Sequence, residues 1–258
     1  MAISAIEVLG KRVLDFFTGV GAIVILFVRS LGWLFRPPFR ISLFLQQMEF
    51  VGAGSFFIVF LTGTFSGLVL ALQLIDGFGR FQAETLVGST IAIALCRELG
   101  PVLTGLIVAG RAASAMATEL GTMKVTEQID ALETMAVSTT HYLVVPRLVA
   151  GIVMIPILTM LFNVLGLLAS YYVSVEVMAI DPGSYLRNIN KYLTSRDVTV
   201  GVLKSVVFGA TIALVACHKG LTASGGARGV GTATTDAVVS NFIAIFVLDY
   251  VLTVLAFQ

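Results

Sequence analysis

The sequence predicts an all-α membrane protein: an N-terminal interfacial amphipathic helix, five transmembrane helices and one amphipathic cytoplasmic helix, in a single domain over residues 1–258. Two observations carry this fold class. The chain is 57% hydrophobic and only 12% charged, against about 45–50% apolar and about 25% charged for ordinary soluble domains, and its mean hydropathy is +0.99. Its apolar residues also gather in runs long enough to cross a bilayer, which takes about 20 residues. The near balance of 16 basic and 15 acidic residues excludes a strongly basic nucleic-acid surface or an acidic one.

The first segment, residues 1–40, reads as interfacial. Its apolar core "VGAIVILFV", preceded by Phe16 and Phe17, is too short to span and is flanked by Lys11, Arg12, Asp15 and Arg29. Trp33 and Phe35 beside Arg29, Arg36 and Arg40 have the chemistry of a headgroup-level anchor, and Pro37-Pro38 ends the segment. A sixth, tilted span is the alternative. No removable leader is expected, because Glu7 precedes Lys11 and Arg12, and "RSLGWLFRPPFR" follows the apolar patch.

Spans are expected over residues 50–75, 86–109, 143–175, 199–217 and 237–257. With the N-terminus inside, Lys11, Arg12, Arg29, Arg36, Arg40, Arg111, Lys124, Arg147, Lys219 and Arg228 fall on the cytoplasmic side. Arg80, Arg187, Lys191 and Arg196 fall outside. Ten against four favours a cytoplasmic N-terminus and an outer C-terminus, although the loop from Glu176 to Asp197 weakens the bias. In the cytoplasmic stretch 111–140, Val125, Ile129, Leu132 and Ala136 share one face of a helix, with Glu127, Asp130 and Thr134 opposite. The stretch "HKGLTASGGARGVGTATTD", rich in Gly, Ser and Thr, reads as a loop.

Four ionisable residues fall inside the spans: Arg97, Glu98, Lys204 and Asp249. Each costs about 2.5–3.5 kcal/mol facing lipid on translocon scales, so they should face the bundle interior or a water-filled cavity. At a rise of ~1.5 Å per residue they lie roughly 8–17 Å below the outer ends of their helices, close enough in depth to meet. Two roles stay open. Lys204 can pair with Asp249, and Arg97 or Glu98 with a polar group, to lock helices together; or the four line a cavity that holds a polar headgroup. Pro101, just after the charged pair, removes a helix hydrogen bond and can kink its span.

Gly63 and Gly67, and Gly201, Ser205 and Gly209, recur at four-residue spacing, the pattern of close helix packing, and one such stripe can serve a homodimer. Cys96 and Cys217 lack any metal or disulfide spacing and read as small packing residues. His141 and His218 stand alone at membrane edges, so no metal site is expected. The glycine-rich "GGARGVGTATT" lacks G-x-x-x-x-G-K-[ST], so this chain is not expected to hydrolyse ATP or to act as an enzyme.

The stretch "RELGPVLTGLIVAGRAASAMATELGTMKVTEQIDALETM", followed by "GGARGVGTATTDAVV" and "FVLDYVLT", resembles the MlaE (YrbE) family of ABC-transporter permeases, and the likeness runs from about residue 45 to the end. It implies a homodimeric permease of the bacterial inner membrane with five spans per subunit and no cofactor of its own. ATP and Mg would be bound by a separate, MlaF-like cytoplasmic ABC ATPase. The other implied partners are a MlaB-like STAS-domain protein and a MlaD-like hexameric periplasmic MCE-domain protein, with phospholipid as the substrate and outer-membrane lipid asymmetry as the purpose.

The resemblance further implies that the cytoplasmic helix docks on the ATPase, with Glu119, Glu127, Asp130, Leu132 and Glu133 as its coupling surface. It implies headgroup contact or gating for Arg97, Glu98, Lys204 and Asp249. For lipid tails the expected surface is the outer half of the first span, Leu68, Leu70, Leu72 and Leu74, interrupted by Gln73. Two other function classes fit the residues themselves. One is an ion-coupled secondary transporter using Glu98 and Asp249, and the other is a noncatalytic membrane scaffold for a periplasmic lipid-binding protein.

Overall fold

The computed structural model describes the backbone of residues 2–37 and 40–257, and side chains at residues 14, 17–37 and 40–256. The side chains of Glu7, Lys11, Arg12, Asp15 and Phe16, and Pro38, lie outside those described residues. Among the described residues there are ten α-helices and no strand. Helix α1 covers Ala2–Leu34 and α2 covers Ile41–Gly79. A long rod follows, built from α3 (Val87–Ala94), α4 (Gly100–Val108) and α5 (Ser114–Val125). Short α6 (Gln128–Thr134) leads to α7 (Val145–Tyr171), α8 (Pro182–Tyr192), α9 (Ser195–Leu221) and α10 (Gly226–Phe257).

Among the described residues six helices are long and apolar enough to cross a membrane. Five contain the five expected spans, and the sixth is the 17–34 window of α1. Length and composition therefore admit a crossing at α1, where the flanking charges pointed to an interfacial helix. Only 6% of that window is buried, and its partly buried Ile23, Leu26 and Phe27 pack against a cluster that includes Leu143, just before α7, Leu148 of α7 and Leu214 of α9. Helix α2 runs well beyond its expected bounds. Its 39 residues at ~1.5 Å each make roughly 58 Å, about twice the ~30 Å hydrocarbon core, so its ends stand clear of that core.

Helices in lipid gain little from apolar burial against one another, so close backbone approach decides which of them pair. Both small-residue stripes are used that way within the chain. A Cβ on Gly63 would sit 3.0 Å from the Phe162 carbonyl oxygen, and one on Gly67 would overlap that of Gly166, which seats α2 along α7. A Cβ on Gly209 would overlap the Gly151 carbonyl, seating α9 against α7. Around these contacts Val59, Leu95, Ile155, Phe162, Phe208, Ile212 and Ile245 form the main core.

Three expectations need correction. The 218–236 loop is confined to residues 222–225, because α10 already begins at Gly226. Gly225 and Gly226 (φ 89° and 67°) make the left-handed turn, after which Val230, Ala233 and Ala237 are buried and Thr234 bonds Thr118 of α5 at 2.7 Å. Packing of small residues there offsets a helix penalty of about 1 kcal/mol per glycine. The expected helix over 125–136 is broken, because Glu127 has φ 61° and Ala136 φ 56°, so α6 stands apart from α5. The 176–197 segment is not simply a loop but holds α8, started by Pro182 and by Asp181, whose side chain accepts from the Ser184 backbone N–H at 2.7 Å. That bond holds the Asp181 carboxyl below the usual range.

Candidate functional site

The rod of α3, α4 and α5 is interrupted by two π-helical turns, Leu95–Leu99 and Ala109–Ala113. Such insertions widen a helix by one residue per turn and often carry functional side chains. The first turn bears Arg97 and Glu98, and Pro101 follows in the first turn of α4, where a missing N–H is tolerated.

One face of α9 receives this turn. Asp197, Gly201 and Lys204 lie at spacings i, i+4 and i+7 and so share that face. A Cβ on Gly201 would overlap the Cys96 carbonyl, so only glycine lets the two backbones meet here. On one side of that contact the Arg97 guanidinium donates to Asp197 Oδ1 from Nε (3.1 Å) and Nη2 (2.5 Å). On the other, Lys204 Nζ donates to Glu98 Oε2.

Lys204 also reaches α10, donating to Asp249 Oδ1 at 2.9 Å and Thr253 Oγ1 at 2.7 Å. Asp249 and Thr253 are one turn apart, and the Thr253 hydroxyl additionally lies 3.3 Å from Glu98 Oε1. The lysine side chain is only 1% exposed, whereas Glu98 is 34% and Asp249 21% exposed. One buried cation is thus held between two carboxylates whose outer edges remain accessible. Three ammonium protons meet three oxygens, which satisfies Lys204 fully.

All four intramembrane charges predicted from the sequence lie in this region, but not as two simple pairs. Glu98, Lys204 and Asp249 cluster, while Arg97 turns to Asp197, a residue the sequence reading placed at the end of a loop. Asp197 is buried and completes a capping box with Thr194 at the start of α9. The pattern Thr194-x-x-Asp197, seven residues before Lys204, was the available signal. With Asp197 the five formal charges sum to −1 rather than zero.

The expected tail surface divides. Leu68, Leu70 and Leu74 are partly buried against the main core, and Leu72 and Gln73 are exposed. The five residues therefore do not form one face, since 68 and 70 lie about 200° apart around a helix with 3.6 residues per turn.

At the opposite end of the rod, Glu119 accepts from Arg147 Nη2 at 2.7 Å. Arg147 is buried and also donates to the Leu143 carbonyl at 2.7 Å. Asp130 pairs with Lys124 at 2.6 Å, and Glu133 accepts from Thr139 Oγ1 at 3.4 Å. Ile129 is buried, and Leu132 packs beside it against Leu120, Leu143 and Leu214. Glu127 is exposed at the break before α6. Of the expected coupling residues, Leu132 fastens the short helix inward, while Glu127, Asp130 and Glu133 lie outward and Glu119 ties α5 to α7. Among the described residues no three His, Cys, Asp or Glu side chains gather to hold a metal ion.

The sequence profile of the family described as Permease MlaE matches residues 44–255. The chain is 40% identical to a probable ABC transporter permease protein of Rickettsia typhi over 100% of both chains. It is 38% identical to the intermembrane phospholipid transport system permease protein MlaE of Haemophilus influenzae, covering 100% of this chain and 99% of that one. A probable ABC transporter permease protein of Synechocystis is 42% identical, covering 83% of this chain and 81% of its own.

Proposed function

The chain belongs to the MlaE permease family, and from that premise we propose that it is the membrane subunit of an ATP-driven transporter moving phospholipids between the inner membrane and a periplasmic carrier, so maintaining outer-membrane lipid asymmetry. The observation that carries the reading is the Glu98–Lys204–Asp249 cluster. A buried charge site with accessible carboxylate edges, set among apolar helices, suits a headgroup whose tails stay in an apolar phase. Arg97, one residue away and 34% exposed on its side chain, adds a cation for a phosphate.

In this reading α1 lies along the cytoplasmic interface, five helices cross, and the C-terminus is periplasmic. Two copies pair so that their charge clusters line a shared cavity, with Leu68, Leu70, Leu72, Gln73 and Leu74 near the lipid path. Hydrolysis of ATP, with its Mg, belongs to a cytoplasmic ABC ATPase. Docking falls to Glu127, at the break before α6, and to Asp130 and Glu133 on α6, whose movement Leu132 and the Glu119–Arg147 pair transmit to α5 and α7. A STAS-domain protein and a hexameric MCE-domain protein complete the assembly.

Purification in mild detergent from native membranes tests the reading. The chain should elute as a dimer with an ABC ATPase and carry phospholipid detectable by mass spectrometry. A lipid-free chain with no ATPase partner would contradict it.

A further inference from the structure

A cavity of ≈ 260 Å³ lies between the α1–α2 junction and the segment that leads from α6 into α7. Trp33, Pro37, Arg40, Leu43 and Phe44 contribute from one side, and residues 136–138 with His141, Tyr142 and Pro146 from the other. It is far from the Lys204 cluster in the fold, at the end of the bundle that carries α6.

The lining combines cations with aromatic planes. Arg40 Cζ lies 5.1 Å over the Tyr142 ring. Trp33 and His141 stack with centroids 5.4 Å apart and planes at 24°, and Arg36 Cζ, just outside the lining, lies 5.3 Å from the Trp33 ring centroid. A guanidinium stacked on a ring leaves its N–H edges free to donate. Among the described residues neither Arg36 nor Arg40 has a carboxylate within ion-pair distance, whereas Lys124 and Arg147 pair with Asp130 and Glu119. Leu43, Phe44, Val137 and Pro146 supply an apolar floor beside this basic rim.

We propose that this cavity binds the phosphodiester headgroup of an anionic phospholipid of the cytoplasmic leaflet, as a site separate from the transport path. It rests on the orientation given under Proposed function. The volume falls below the roughly 300–1,000 Å³ that engulf a drug-sized ligand, which suits a headgroup entering alone while its chains stay in the bilayer. Arg40 forks onto the phosphate, the His141 ring borders it, and the first methylenes lie on Phe44 and Leu43. Bound there, the lipid joins the α1 anchor to residues 136–146, the connection from α6 into α7, and so makes the position of α6 responsive to the charge of the inner leaflet.

Trp33 is the single tryptophan of the chain, so its fluorescence reports on the cavity. Dihexanoyl-phosphatidylglycerol titrated into the purified full-length chain, in uncharged detergent, should change that emission saturably. Arg40→Ala should raise the midpoint at least tenfold, and Arg40→Lys, which keeps the charge without the fork, should fall between. Arg40 is exposed, so an unchanged melting temperature is expected in both variants. Dihexanoyl-phosphatidylcholine, whose quaternary ammonium offsets its phosphate charge beside Arg36 and Arg40, should respond at least tenfold more weakly, and inorganic phosphate should give no response in the same range. A flat titration, an equal response to phosphatidylcholine, a response to inorganic phosphate alone, or an unshifted Arg40→Ala midpoint would each overturn the proposal. Binding is read without transport, so lost transport with an intact titration removes the proposed function and leaves this site standing, and the reverse result does the opposite.

Discussion

Lys204, in the middle of α9, donates its ammonium to Glu98 on the π-helical turn of the rod, and the lysine is buried while the glutamate is not. That asymmetry gives the site its character: the fixed charge is inside, and the responsive charges are at its edge.

Removing the inside charge should be the more damaging change. Lys204→Met leaves Glu98 and Asp249 facing each other without compensation; orphaning a fully buried charge costs about 3–5 kcal/mol, and solvent at the accessible carboxylate edges lowers the cost here. Thermal unfolding in detergent should show a large fall in Tm. The triple variant Glu98→Gln, Lys204→Met, Asp249→Asn, which removes all three charges, should recover most of it. A triple variant no more stable than the single one would contradict the electrostatic account.

Asp197 does two things that can be separated. Asp197→Asn keeps a side-chain acceptor for the Thr194 cap and removes the charge that holds Arg97, whereas Asp197→Ala removes both. Loss of the N3 acceptor of a capping box is worth about 1 kcal/mol, so the alanine variant should be less stable by about that amount. Equal melting temperatures would show that the cap carries no weight.

Glu119→Gln should loosen the cytoplasmic end without unfolding the bundle. Buried Arg147 then keeps the Leu143 carbonyl and a neutral partner in place of a carboxylate. Charge-assisted bonds are about twice as strong as neutral ones. Hydrogen exchange across Gln128–Thr134 should accelerate, while exchange in the core of α7 should not change.

The glycine stripe on α2 has a built-in control. Gly67→Ala places a methyl group against the Gly166 carbonyl, and Gly77→Ala meets nothing within 4 Å. Forced repacking typically costs about 1–3 kcal/mol, so Gly67→Ala should lower Tm and Gly77→Ala should not.

Asp181 supplies a pH dependence outside the bilayer. Its carboxyl titrates below the usual range because the Ser184 N–H bonds it, so the stabilisation is fully present above the unfolded value of about 3.9 and is lost as pH falls through the lower folded value. Amide protection at Ser184, read by hydrogen exchange, should be level from neutral pH down to about 5 and should decline only under stronger acid. Asp181→Asn should remove the decline.

Much of this architecture was legible in the sequence because bilayer thickness is a strict ruler: runs such as 143–175 and 237–257 had to be helices. The charged residues were equally legible, since Arg97, Glu98, Lys204 and Asp249 are expensive in lipid wherever they point. Their pairing was not. It depends on a π-helical turn that rotates Arg97 toward α9, and no local composition marks such an insertion. Asp197 was missed because it sits at a helix start, where an acidic residue usually serves only as a cap. The 226–236 stretch was misread because glycine and threonine signal turns in water, yet serve close packing when α5 lies alongside.

The most direct test of the central reading is ATP-dependent transfer of a fluorescent phospholipid in proteoliposomes holding the chain with its ABC ATPase, comparing wild type with Glu98→Gln. Glu98→Gln keeps a hydrogen-bond acceptor for Lys204 but removes the accessible charge. The prediction is at least a tenfold slower transfer with ATP hydrolysis and assembly retained. Transfer at the wild-type rate would contradict the assignment of the Glu98–Lys204–Asp249 cluster to headgroup handling.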